Sequence, residues 1–463
     1  MPVNSSSFDQ LLEILRCPKC GQVLEFQSVA APWPQAREFG ILKCRCASYP
    51  VVDGIPILMG GTVGAFEHTM GSADFVGPAV EDLCQKVLAG RGVDALLRCI
   101  AFPITLKRLR KVPPRRLWTS RGFLNLMAGL RRGQLRSQCL ADRASLSAED
   151  WLRSFFGRFS PVQGDMFNYS FYRLAQPRYL ATLALTKHLP ESNKPVLDLA
   201  CGFGHLGYNL SECAERHVVV GVDRNFFQLW LAQHWIAPKN RFVCANADES
   251  LPFRHGSFSA TLCSDAFHYF RRKDLVMEEI DRCGSGRPVL LTRVGNKAIE
   301  PNEGFELTPT EYLRLCKGDS WMIFGEEELL SRYLAREPAI ASQHSKTIVP
   351  GEKWLSLVYP GTPPDDMRRN PSSGWLHAVG PLAINPIYRV SRAGQNWRLD
   401  FRFPSDHYKS ENARMGTYCP QTITISDETY RQVKTNIRSA EVEHLIGQMV
   451  AIGVPNSYVS RHI

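Results

Sequence analysis

Between residues 161 and 360, short apolar runs alternate with stretches of helical periodicity. The runs are Val196 to Ala200, Val218 to Val222, Arg241 to Ala245, Ser259 to Ser264 and Pro288 to Thr292. Each is too short for a helix, and apolar residues on both faces mark a strand covered on both sides, as in a parallel sheet. Helical patterns fill the intervals at Leu206 to Ala214, Phe226 to Ile236 and Lys273 to Cys283, and another precedes the first strand at Phe171 to His188. Thr308-Pro309-Thr310-Glu311 is a capping box with proline at the first helical position, which predicts a further helix start. The alternation predicts an α/β fold with a doubly wound parallel sheet. Beyond residue 360 the pattern changes to Pro-Gly turns, strand runs at Trp397 to Phe403 and Thr422 to Ile425, and a closing helix near Ala440 to Ile452. Asn385-Pro386-Ile387-Tyr388 reads as a turn.

The first strand carries the chemistry. Val196-Leu197-Asp198-Leu199-Ala200 breaks into Cys201-Gly202-Phe203-Gly204-His205-Leu206-Gly207. Glycines there let the backbone approach a ligand, and the helix that follows offers free N–H groups. The Gly-x-Gly-x-x-Gly spacing admits any adenine nucleotide cofactor. Asp223, ending the second strand 19 residues after Gly204, suits ribose hydroxyls in either a nicotinamide or flavin enzyme or an S-adenosylmethionine enzyme. Asp198 separates them. A negative charge beside a pyrophosphate gains nothing, whereas a sulfonium cofactor with an ammonium group is attracted to it. Asp248, after the third strand, stands where an adenine amino group could donate to it.

These residues, with Phe258 to Tyr269 as fourth strand and following loop, resemble class I S-adenosylmethionine-dependent methyltransferases over roughly residues 165 to 335. The resemblance implies a Rossmann-like sheet, with Asp198, Gly202 and Gly204 at the methionine end of the cofactor, Asp223 at the ribose and Asp248 at the adenine. Asn168 and Tyr169, just ahead of the core, are placed to close over the cofactor. Methyl transfer is an in-line displacement, so a base matters only for a weakly acidic acceptor. Candidates at the carboxyl ends of the strands are His268, with Asp265 to orient it or the substrate, and, less well placed, His205.

The N-terminus adds a metal motif. Cys17-Pro18-Lys19-Cys20 and, after 23 intervening residues, Cys44-Arg45-Cys46 supply two close thiol pairs, the donor set of a closed tetrahedral zinc site. A segment of about 60 residues would be stabilised by such a structural metal. Leu11 to Cys20 together with Tyr49 to Leu58 resembles the small zinc-ribbon family typified by the activator subunit of tRNA and protein methyltransferases, over residues 8 to 60.

Length and charge complete the picture. At 463 residues the chain exceeds one ordinary core, and it divides into a ribbon (1–60), a basic and helical segment (61–160), the methyltransferase domain (161–360) and a C-terminal mixed α/β accessory or substrate region (361–463). Apolar content of 44% and charged content of 22% are those of a globular protein. With no leader-like start and no long apolar run, a cytoplasmic protein is expected, at most peripheral to a membrane. Fourteen cysteines, mostly single within apolar patterns, fit a reducing compartment. The net charge of +10 is concentrated. No acid falls between Asp94 and Asp142, where eleven cations lie, among them Arg98, Arg115, Arg116, Arg132 and Arg136. Residues 98–136 form a solvated face, a nucleic-acid surface, or a contact for anionic lipid or a pyrophosphate-bearing substrate.

The expected function is methylation of a small-molecule, secondary-metabolite or lipid-linked glycan acceptor, at oxygen, nitrogen or carbon. An RNA methyltransferase with ribbon-assisted recognition is the second reading, although no Asn-Pro-Pro-Tyr signature follows the fourth strand. A non-catalytic ribbon-bearing scaffold is the third, and the intact Asp198, Gly202, Gly204, Asp223 and Asp248 speak against it.

Overall fold

The structure is a computed structural model that describes residues 7–32, 36–64, 77–100, 121–139, 145–156, 161–187, 189–190, 192–214, 218–286, 288–300, 305–316, 320–339, 351–359 and 374–460. The N-terminal helix α1 (Ser7–Ile14) leads into four antiparallel strands in sequential order, β1 (Glu25–Val29), β2 (Phe39–Lys43), β3 (Ser48–Val52) and β4 (Ile55–Pro56). Asp53 and Gly54, with φ of 50° and 80°, join the last two strands. Two successive positive φ values make the mirror-image turn that matches strand twist, and Asp-Gly adopts it cheaply. Helices α2 (Val80–Leu88), α3 (Gly92–Ile100), α4 (Arg121–Ser137), α5 (Ala148–Phe156), α6 (Pro161–Phe171) and α7 (Pro177–Thr186) follow. The helix expected over Phe171 to His188 is therefore shorter, starting only at α7 after a 3-10 turn at Arg173–Ala175, because Pro177 takes a first-turn position and Gln176 before it is held extended.

The central sheet has seven strands. The five expected ones are β5 (Val196–Leu199), β6 (Val219–Asp223), β7 (Arg241–Cys244), β8 (Ala260–Ser264) and β9 (Val289–Gly295), joined by β10 (Met322–Gly325) and β11 (Trp354–Tyr359). Their order is β10-β11-β9-β8-β5-β6-β7, with β5 to β9 parallel and β11 running against both neighbours. This is the Rossmann-like α/β fold. Chain order reverses beside β5, so the crevice at the carboxyl ends of β5 and β8 is where such a sheet places a ligand.

Alternate strand residues enter two apolar layers. Val196 and Val219 face one with Trp230 and Leu180, while Leu197 and Val220 face the other with Phe253 and Phe258. The N-terminal meander belongs to both, through Phe39, Ile41 and Val52 on one side and Leu15, Val51 and Leu58 on the other. It also extends the sheet. Ile57 pairs in parallel with Cys244 at the β7 edge, the Leu58 N–H donates to the Cys244 carbonyl at 2.8 Å, and the Arg16 N–H donates to the Pro252 carbonyl at 2.9 Å.

A buried carboxylate fastens this contact. Asp53 is fully enclosed; its side chain accepts from the Arg37 backbone N–H and from Trp230 Nε1, both at 2.9 Å, and lies 2.9 Å from His234 Nε2. Removing an acceptor leaves buried donors unsatisfied at about 1–3 kcal/mol each. Asp53→Ala is thus expected to cost about 3–5 kcal/mol in urea unfolding of the whole chain, and a loss below 1 kcal/mol would mean the clamp is dispensable.

The remaining helices of this region, α8 (His205–Ala214), α9 (Phe226–Leu231), α10 (Lys273–Gly284), α11 (Pro309–Leu315) and α12 (Glu326–Ala335), pack their apolar residues into these two layers. The Thr308 capping box forms as expected. The C-terminal region pairs β12 (Leu382–Ile384) with β16 (Ala451–Gly453), and β13 (Tyr388–Ala393), β14 (Asn396–Phe401) and β15 (Thr422–Ser426) form a second antiparallel sheet. The closing helix stops at Gly447 and not at Ile452, because residues 451–453 are needed as the strand that completes the β12 pair. Asn385 to Tyr388 is the expected turn, closed by the Tyr388 N–H on the Asn385 carbonyl. Among the described residues, no helix is long and apolar enough to cross a membrane.

Candidate active site

The crevice begins at the β5 turn. Ala200, Gly202 and Gly204 have φ of 57°, 54° and 73°, so the chain turns through three left-handed residues before α8. A Cβ on Gly202 would meet nothing within 4 Å, which leaves open space on that side, whereas one on Gly204 would press to 3.0 Å from Ala232 Cβ. Gly202 therefore keeps a ligand surface bare and Gly204 lets the loop seat on the helical layer. The loop is pinned from β6. The Gly202 N–H donates to Asp223 Oδ2 at 3.0 Å and the Asn225 N–H to Asp223 Oδ1 at 2.8 Å.

Asp198 is almost completely buried under this loop. Burial, and then the charge of Asp223, push its carboxyl up to about 7, opposed only by the Gly207 N–H. The two carboxylates destabilise one another's charge, and among the described residues Asp198 has no cationic side chain bonded to it. A cation entering the crevice supplies the missing partner. This donor set, beside the bare Gly202 surface, fits the sulfonium and ammonium of S-adenosylmethionine and does not suit a pyrophosphate. The sign of the pH effect follows. Below pH 7 the free protein holds Asp198 neutral, and a bound cation requires it ionised. Cofactor binding at pH 6 is therefore expected to release close to one proton, read by calorimetry in two buffers of different ionisation enthalpy, and Asp198→Asn should release none.

Asp248 has structural work in the same region. Its Oδ1 accepts the backbone N–H groups of Arg271 and Arg272, at 2.9 and 3.0 Å, just ahead of α10. It fixes the turn that leads into that helix and not the N–H groups of the helix itself.

At the end of β8, Asp265 sits in the left-handed region (φ 59°), and Arg293 on β9 does so as well (φ 53°). Such backbone in non-glycine residues costs about 1–3 kcal/mol and persists only where its surroundings enforce it. The surroundings are three buried arginines. Asp265 Oδ1 accepts from Arg293 at 2.7 Å, and Oδ2 lies 3.1 Å from Arg173 and 3.6 Å from Arg178 while accepting from Tyr169 at 3.0 Å. Burial alone would raise its carboxyl, but Arg293, Arg173 and Arg178 outweigh that and hold it far below the usual range. Asp265 is a fixed anion and cannot take a proton near neutrality. Its bonded partners are arginines and Tyr169, not His268, so of the two expected roles the orienting contact to His268 is corrected.

His268, in a single helical turn at Phe267–Tyr269, is 1% exposed. Burial, with Arg293 and Lys273, lowers its pKa to about 4 against the pull of Asp265, so the ring is neutral at pH 7. A ring N–H bonds the Arg293 backbone carbonyl, and Nδ1 has no partner. With the ring proton given to that carbonyl, Nδ1 is left as the unprotonated nitrogen of a ring that packs against Tyr269 and Trp354. His205 is not comparable. Its Nε2 is 2.9 Å from the Tyr458 hydroxyl, which ties the start of α8 to the C-terminal region. Of the two residues expected to close over the cofactor, Tyr169 is bound to Asp265 and Asn168 donates to Ser405 at 3.4 Å.

The thiols converge. Cys17, Cys20, Cys44 and Cys46 bring their Sγ atoms within 4.8 Å of one another, with individual separations of 3.3 to 3.8 Å. A tetrahedron of Zn–S bonds near 2.3 Å has edges of about 3.8 Å, so the donor set and spacing fit a zinc ion. Gly21, with φ of 69°, forms one knuckle by donating to the Cys17 carbonyl at 2.8 Å.

Sequence reasoning missed Arg173, Arg178 and Arg293. Of the basic stretch, Arg115 and Arg116 lie outside the described residues, while Arg98, Arg132 and Arg136 lie within them.

Residues 196–284 match the family described as Methyltransferase domain. The match runs from β5 to the end of α10, over the glycine loop, Asp223, Asp265 and His268. The chain is an S-adenosylmethionine-dependent methyltransferase enzyme. No curated protein matches it. Solved structures similar to it include a TehB-like S-adenosylmethionine-dependent methyltransferase of Corynebacterium glutamicum (16% identity, 43% of this chain and 97% of that one, TM-score 0.30). Geranyl diphosphate C-methyltransferase of Streptomyces coelicolor is another (17%, 38% and 73%, 0.28), as is phosphoethanolamine N-methyltransferase 2 of Haemonchus contortus (16%, 46% and 59%, 0.32).

Proposed function

We propose that the enzyme methylates a small-molecule acceptor held at the carboxyl ends of β5, β8 and β9, with His268 receiving the acceptor's proton. The observation that carries this is His268 itself: an enclosed, neutral imidazole with an unpartnered Nδ1. A base so deeply placed suits a compact acceptor better than a folded RNA. S-Adenosylmethionine, when bound, supplies an electrophilic methyl group.

The chain's own residues do the rest. Asp198, Gly202 and Gly204 hold the cationic end of the cofactor, Asp223 the ribose, and Asp248 the adenine through the oxygen not given to Arg271 and Arg272. Tyr169, Arg173, Arg178 and Arg293 keep Asp265 fixed and so keep the β8 and β9 ends in register. The Arg293 carbonyl fixes the His268 tautomer, which leaves Nδ1 as proton acceptor, and Trp354 and Tyr269 exclude water from it. Asn168 serves the packing of α6 on the C-terminal region, which shapes the acceptor pocket. Cys17, Cys20, Cys44 and Cys46 hold one structural zinc.

His268→Gln keeps the ring's volume roughly and removes the base. Turnover is expected to fall about 100-fold or more while the Kd for S-adenosylmethionine stays within about twofold. In the parent enzyme the acid limb of the rate profile should lie near pH 4, since protonation of His268 there abolishes its acceptor role. Unchanged turnover in the variant would remove His268 from the chemistry.

A further inference from the structure

Three helices outside the sheet line a half-open cavity of about 310 Å³. Its walls come from α2, α3 and α4, and five of the side chains that line it are cationic: Lys86, Arg91, Arg98, Arg132 and Arg136. Asp94 is the one acid among them. The ion pairs within reach leave this charge unbalanced. Lys86 and Arg98 share Asp82, at 2.9 and 3.3 Å, and Arg136 reaches Asp94 at 3.5 Å. Arg91 and Arg132 have no ion pair among the described residues, so five cations face two carboxylates.

Two of the five cations are withdrawn from water, while Arg91, Arg98 and Arg136 remain exposed at the rim. Lys86 is buried, Leu97 forms an apolar floor, and Arg132 is half-buried close enough to Arg98 that, after burial, the Arg98 charge is what most disfavours its protonated form. Like charges gathered on a concave wall raise one another's free energy until an anion arrives. The opposite wall is kept open by Gly133, where a Cβ would meet nothing within 4 Å. Glycine inside a helix costs about 1 kcal/mol against alanine. The size is at the lower end of ligand pockets, suited to one or two phosphate groups and too small for a nucleotide. Planar guanidinium forks bind phosphate oxygens in pairs, and four of the five cations are arginines.

We propose that this cavity is a binding site for a phosphate-class oxyanion, a phosphoester or diphosphate, distinct from the methyl-transfer crevice and independent of its reading. The oxyanion belongs either to a soluble ligand or to a lipid headgroup. α3 packs on α9, the helix that follows Asp223, so an occupant would rest one helix away from the cofactor's ribose side.

Titration calorimetry of the full chain with inorganic pyrophosphate tests this. Saturable binding is expected, weakened tenfold or more in the double variant Arg98→Gln/Arg132→Gln, with S-adenosylmethionine affinity unchanged. Gly133→Glu places a carboxylate in the cavity and favours the helix, so it should weaken pyrophosphate equally without loss of fold. Retention on phosphatidic acid vesicles that pyrophosphate reverses assigns the oxyanion to a lipid. Pyrophosphate binding without such retention assigns it to a soluble phosphoester. Absence of pyrophosphate binding, or binding untouched by Gly133→Glu, overturns the proposal.

Discussion

If the four thiols hold one zinc, Cys46→Ser is expected to lower the stability of the whole chain by more than about 5 kcal/mol and its melting temperature by about 10 °C or more, with zinc content falling to a small fraction of the parent's. The size follows from where the thiols sit. Cys46 is exposed, and its Sγ lies 3.3 Å from both Cys20 and Cys44 and 3.5 Å from Cys17. In a metal-free cluster, replacing an exposed sulfur by oxygen would alter stability by about 0.5 kcal/mol or less. With zinc bound, the coordination shell opens and the knuckles lose their constraint. The loss then spreads, because Leu15, Val51 and Leu58 share an apolar layer with β5 and β6, and Ile57 pairs with the β7 edge. Urea unfolding with metal analysis of the same samples separates the two cases.

Asp223→Ala is expected to weaken S-adenosylmethionine binding at least 100-fold, about 2.7 kcal/mol. Two losses combine. The ribose hydroxyls lose a charged acceptor, worth about 1.5–3 kcal/mol. The Gly202 and Asn225 N–H groups lose theirs, so the loop that presents the bare glycine surface is no longer tied to β6. Asp223→Asn keeps one acceptor oxygen and should fall between the two. Equilibrium dialysis with labelled cofactor checks this, with thermal melting to show that the variants remain folded. A Kd within threefold of the parent in Asp223→Ala would remove the acid from the cofactor site.

How much of this could be read beforehand depends on how local the signal was. β5 to β9 were legible because strands covered on both faces are apolar throughout and glycines or acids end them. β10 is only four residues and runs directly into α12, so its pattern is absorbed by the helix. β11, Trp354–Tyr359, carries a bulge where it pairs with β9, and its antiparallel course is set by that neighbour. The cysteine spacing and the glycine loop were legible because a metal and a cofactor each impose short-range geometry. The arginine cluster was not. Arg173, Arg178 and Arg293 come from three segments, and buried arginine is rare enough that sequence alone places each on the surface. The docking of the meander on β7 was hidden for the same reason, since Ile57 and Cys244 meet only in the fold. Asp248 shows a finer limit: an aspartate after a strand reads as a cofactor ligand, and the structure uses one of its oxygens to hold the turn at Arg271 and Arg272, more than twenty residues further along the chain.

These cases share a physical cause. Residues whose neighbours lie within a few positions announce their role through spacing. Residues whose partners are tens or hundreds of positions away do so only after the core has formed.

In the proposed reaction a methyl group passes from S-adenosylmethionine to a small acceptor held at the carboxyl ends of β5, β8 and β9, and the acceptor's proton passes to His268. Incubation of the full chain with methyl-labelled cofactor and fractionated cell extract tests it most directly, run beside Asp223→Ala and His268→Gln. Label is expected in the small-molecule fraction, absent with Asp223→Ala and reduced about 100-fold with His268→Gln. Label entering RNA or protein instead, or no transfer to any fraction by a folded enzyme that binds the cofactor, would contradict it.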